Sequence, residues 1–107
     1  MDDRIGKLIN AFESNGWVYK GPVDISDWWF TEIFQLSSTW RPVNTNLYLT
    51  LLTDPQLLNK KVVWAVGISS SIPGNPGFDF VAKLTLNEIS KTSLSEIVNK
   101  VNKVVLR

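Results

Sequence analysis

The chain has 107 residues, 44% hydrophobic and 20% charged, with a net charge of +1, which is the composition of a folded domain rather than a disordered tail. It contains no cysteine and no histidine, which excludes disulfides, thiolate nucleophiles, imidazole bases and Cys/His metal centres. Any proton transfer near neutral pH therefore falls to Asp, Glu, Lys or Tyr.

Residues 1–107 read as a single domain with one hydrophobic core. Five tryptophans make the chain unusually aromatic. The start, Met1-Asp2-Asp3-Arg4, has no apolar stretch of the kind a secretory signal needs. The longest apolar runs, 47–52 and 62–68, fall short of the roughly 20 residues that span a bilayer. The expectation is a cytoplasmic chain without membrane association. Charge is unevenly spread: residues 1–59 hold four bases and seven acids, and residues 60–107 hold seven bases and three acids.

The first element is a helix over 3–14. Ile5, Leu8, Ile9 and Phe12 fall at i, i+3, i+4 and i+7 and form one apolar stripe. Ser14-Asn15-Gly16 stops it, because Asn and Gly tolerate the left-handed backbone that ends helices. A short strand, Trp17 to Lys20, closes at Gly21-Pro22, and a polar turn with Asp24, Ser26 and Asp27 follows. The pattern then predicts a long strand from Trp28 to about Ser38, ending in Trp40-Arg41-Pro42, and another over Leu47–Thr53 stopped by Asp54-Pro55.

Lys61–Ser69 is a near-continuous apolar run rich in β-branched residues, as expected of an interior strand. The Ser/Pro/Gly stretch 69–77 reads as a loop. Phe78–Leu86 alternates, with Phe78, Phe80, Ala82, Leu84 and Leu86 on one side. The last helix opens at Ser93-Leu94-Ser95-Glu96, a capping-box pattern. Leu94, Ile97, Val98, Val101, Val104 and Val105 form its expected buried stripe.

The fold class that follows is α+β, with element order α-β-β-β-β-β-α. Short connections favour a five-stranded antiparallel meander sheet, with the N- and C-terminal helices packed on one face.

One candidate site is the sheet face turned away from the helices. Strict alternation assigns it Trp29, Thr31, Ile33 and Gln35, then Tyr48, Thr50 and Leu52, then Val63, Ala65 and Gly67, then Val81, Lys83 and Thr85. If open, this greasy, threonine-rich face would mark an association surface. Its interaction residues would be Trp29, Ile33, Tyr48, Leu52, Val63 and Val81, and the same face would suit a homodimer.

The alternative is that a loop or straddling helices cover it. Glu32 falls on the helix side in strict alternation, where a carboxylate needs a cation or a proton. A bulge near residue 31 would turn it outward. Trp40 and Arg41, beside the Pro/Gly loop, have the composition of a binding hot spot, although Trp40 equally suits a satellite core.

No G-x-G-x-x-G, P-loop or G-x-S-x-G motif is present, and no cofactor or metal is expected. The reading that results is a non-enzymatic protein-interaction or regulatory module, with a protein partner or a second copy as its target. Two alternatives stand beside it. One is a small-ligand binder using exposed tryptophans, and the other is a carboxylate-dependent enzyme using Glu32 with Asp24 or Asp27. Nucleic acid is disfavoured, because Lys60, Lys61, Lys83, Lys100 and Lys103 are scattered without aromatic interleaving.

Overall fold

The computed structural model describes residues 3–23, 30–39, 45–53, 63–71 and 80–105. Helix α1 (Asp3–Glu13) buries Ile5, Leu8, Ile9 and Phe12, all four residues of its predicted stripe. Its last turn closes where the chain has the residues to close it. Ser14 N–H donates to the Asn10 carbonyl at 2.9 Å, and the Asn15 side-chain amide donates to the Ala11 carbonyl at 2.7 Å. Gly16, at φ 94°, then reverses the chain in the region only glycine enters cheaply.

Five strands follow: β1 (Trp17–Pro22), β2 (Phe30–Ser38), β3 (Asn46–Thr53), β4 (Val63–Ser69) and β5 (Ala82–Thr85). Each pairs antiparallel with its sequence neighbour, so the sheet order is β1-β2-β3-β4-β5. Helices α2 (Leu86–Lys91) and α3 (Leu94–Val105) complete the chain. The architecture is thus the expected α+β meander, with one additional short helix. No helix among the described residues is long and apolar enough to cross a membrane.

The core lies on one face. Leu47, Leu49 and Leu51 of β3, Phe34 and Leu36 of β2, and Val66 and Ile68 of β4 form one cluster with the α1 stripe and with Ile97, Val98 and Val101 of α3. Full burial of each such side chain is worth roughly 1.5–3 kcal/mol. This interlocked layer therefore supplies most of the driving force for folding. Trp17 ties the corner. Its ring stands edge-on to Phe12 at 6.4 Å, and its indole N–H donates to Asn102 Oδ1 of α3 at 2.9 Å.

Helix α2 was not expected from the sequence. It begins directly at the end of β5, with Thr85 as N-cap. Glu88 N–H donates to Thr85 Oγ1 at 3.1 Å, and Thr85 N–H donates to Glu88 Oε1 at 3.2 Å, which makes a reciprocal capping box. The T-x-x-E signature stands in the sequence, hidden by an alternation that runs on through Leu86.

Strict alternation also fails elsewhere in the sheet. The β1–β2 register shifts between Tyr19 and Gly21, where Gly21 sits at φ 98°. One extra residue lies in β2 between Phe30 and Ile33, the place where a bulge bears on Glu32. Another lies in β4, since Leu52 pairs Ala65 while Thr53 pairs Val63.

Replacing Thr85 by Ala removes one half of the capping box while leaving every other sheet side chain untouched. The expected cost is ~1 kcal/mol in urea unfolding. An unchanged midpoint would show that the cap does not hold the β5–α2 junction.

Candidate functional site

Of the residues expected on the second sheet face, Ile33, Tyr48 and Leu52 are buried within the single protomer, with 1%, 6% and 8% of their surfaces exposed. Thr50, Ala65 and Ser69 are buried beside them. The centre of this face is therefore not open, which corrects the expectation of a bare association surface. Part of the cover is visible among the described residues. The Phe80 ring lies directly over Gly67, in the space that a Cβ on Gly67 would occupy.

Phe80 reaches that position because of an irregularity that alternation does not foresee. Ala82 is the register partner of Ile68, yet the Val81 N–H also donates to the Ile68 carbonyl, at 2.7 Å. Two consecutive residues oppose one, so residues before the bulge exchange faces. Phe80, expected on the helix side, packs on the other. Val81, expected on the second face, lines a hollow with Ala82 and Leu84.

The bulge in β4 acts the same way. Val63 packs against the helix-side core rather than joining the second face. Trp64 is left 41% exposed, with the Lys83 ammonium 5.0 Å from its ring centroid. Trp29, Trp40 and Arg41 lie outside the described residues, as do Asp24, Asp27 and the side chain of Glu32. Lys83 covers part of Trp64, the exposed tryptophan among the described residues, and this weakens its case as a stacking platform for a small ligand.

One buried polar atom among the described residues has no hydrogen-bond partner, Thr50 Oγ1. Its strand neighbours across the ladder are Ile33 and Gly67, so the hydroxyl sits in the apolar middle of the sheet.

The more distinctive feature is at the opposite end of the sheet order from β1. A groove of about 270 Å³ runs between the β5–α2 segment and α3. Val81, Ala82 and Leu84 form one wall, and Ile97, Lys100, Val101 and Val104 form the other. Those four α3 residues fall at i, i+3, i+4 and i+7, a single ridge along the helix. Val104, expected in the buried stripe, is instead 51% exposed, the largest exposure of any big hydrophobic residue described.

The sequence held a sign of this. On the helical wheel Val104 stands at one margin of the α3 apolar arc, farthest from Val98. Glu88, the carboxylate on the rim, is committed to the Thr85 cap. A smaller hollow of about 230 Å³ joins Arg4 and Lys7 of α1 to Ser90 and Thr92.

Comparison with protein-family models, with curated proteins and with solved structures gives no significant match to this chain.

Two stability measurements check the second face. Thr50→Val should be neutral or stabilising by up to ~1 kcal/mol, because it removes a desolvated hydroxyl that has no partner to lose. A loss above ~1 kcal/mol would mean that the hydroxyl is satisfied in solution. Gly67→Ala should cost ~1–3 kcal/mol in the native chain, through collision with Phe80. It should cost clearly less in a Phe80→Ala background; equal costs would remove Phe80 as the cover.

Proposed function

We propose that this chain is a non-enzymatic protein-interaction module that receives its partner along the β5–α3 groove. The observation that carries the reading is the ridge from Ile97 to Val104 beside β5, buried at Ile97 and Val101, charged at Lys100, and ending on the most exposed large hydrophobic side chain described. An apolar channel at the margin of a rigid sheet, rimmed by charge, has the make-up of a docking site. The buried second face directs the proposal to this edge rather than to face-to-face dimerisation. The role of Glu88 in the α2 cap and the absence of a second carboxylate among the described groove residues favour binding over acid–base chemistry.

The experiment is photo-crosslinking in cells from a reactive residue placed at 104, with the same residue at exposed position 18, on the opposite edge strand, as control. The reading expects a protein captured at 104 and not at 18. Once purified, that protein should bind the native chain and lose at least tenfold in affinity to Val104→Asp, equivalent to ~1.4 kcal/mol. Identical capture at both positions, or binding indifferent to Val104→Asp, would sink the proposal.

A further inference from the structure

We infer that the occupant of this groove is an extended segment of an acidic partner protein, added to β5 as a sixth strand; the inference rests on the groove being the docking site. Three observations carry it.

The first is the edge. Strand β5 is the last strand of the sheet, and among the described residues no backbone group pairs with its outer side, although the Thr85 N–H at its end is taken by the Glu88 carboxylate. An edge strand offers unpaired N–H and C=O groups in the geometry that another strand fills.

The second is the uncovered margin of α3. Val104, 51% exposed, lines the same groove as Ala82 and Leu84 of β5. A strand laid beside β5 sets alternate side chains under that ridge, next to Ala82 and Leu84. It thereby completes the two-layer packing.

The third is charge. Lys83 projects from β5 on the second face, over Trp64, and Lys100 stands on the helix side of the same edge. The nearby carboxylate, Glu88, accepts one bond in the α2 cap and keeps its charge on the same side as Lys100. Lys83, on the second face, is therefore the cation that an acidic strand would meet at this edge.

This charge pattern also argues against a second copy of the chain. Two β5 strands paired antiparallel about a dyad normal to the sheet keep their faces. The registers centred on the strand then put Lys83 directly opposite its counterpart or one diagonal step from it. Like charges so placed are unfavourable. A partner strand with apolar residues facing the groove and an acid facing Lys83 has no such conflict.

The test uses the full chain, uniformly labelled with ¹⁵N, and a capped hexapeptide of alternating valine and glutamate. Titration should shift the amides of Ala82, Lys83 and Leu84 together with Val104. Replacing glutamate by lysine in the peptide should weaken binding at least tenfold, and Lys83→Glu should reverse that preference.

N-methylation decides the mode. Methylating one alternate set of peptide nitrogens should abolish binding, and methylating the other set should leave it intact, because only one set faces β5. Equal tolerance of both sets, as for a helix or a compact apolar ligand, would overturn the strand-addition inference, as would the lack of any shift at 82–84. If a protein captured at 104 still depends on Val104 in that event, the docking reading stands and only the strand mode fails. If nothing is captured at 104, the docking reading itself has failed.

Discussion

Everything else in this structure depends on one layer of side chains, the contact between the leucine face of β3 and the apolar stripes of α1 and α3. Leu47, Leu49 and Leu51 stand on the central strand and lie in one cluster with Leu8, Phe12, Val98 and Val101. Valine is a poor intrinsic helix former, so α3 owes its helical state to this contact more than to its own propensity. The bond from Trp17 to Asn102 then locks the first strand to the last helix, which makes the two ends of the chain one unit.

That one-sided clamp raises the question of what happens on the other side of the sheet. Meander sheets with helices on a single face often leave the second face to solvent. Here the middle of it is sealed. Small residues at Ala65 and Gly67 leave a depression in β4, and Phe80 lies over it at Gly67. The orphan hydroxyl of Thr50 is a by-product of that sealing, a polar group tolerated in a place that has become core.

The groove at β5 has the opposite origin. It lies where the shortest strand of the sheet, four residues long, faces a helix of twelve whose last apolar turn stays exposed at Val104. Early termination of β5 is itself a local event. Thr85 is the last residue of the ladder and at once the cap of α2, so the chain turns away from the edge there. A single capping residue thus shapes both the end of the sheet and the mouth of the candidate binding site, and it fixes the rim carboxylate in the process.

Periodicity and short connections together determined the five strands between two long helices, the antiparallel meander and the inward stripes, but not the short helix α2. Ile5 to Phe12, Leu47 to Leu51 and Ile97 to Val101 repeat with the period of their own element, and burial obeys that period directly. The absence of cysteine and histidine was equally legible, and composition by itself narrowed the chemistry. By contrast, the faces of Val63, Phe80 and Val81 were decided only in three dimensions. Bulges in β4 and beside β5 set two residues against one, and each exchanges the faces of residues beyond it. The exposure of Val104 had the same dependence, because whether a helix margin is covered is settled by what packs beside it. Local pattern records which residues share a side of an element; where a neighbouring element stops is set by packing between segments distant in the chain.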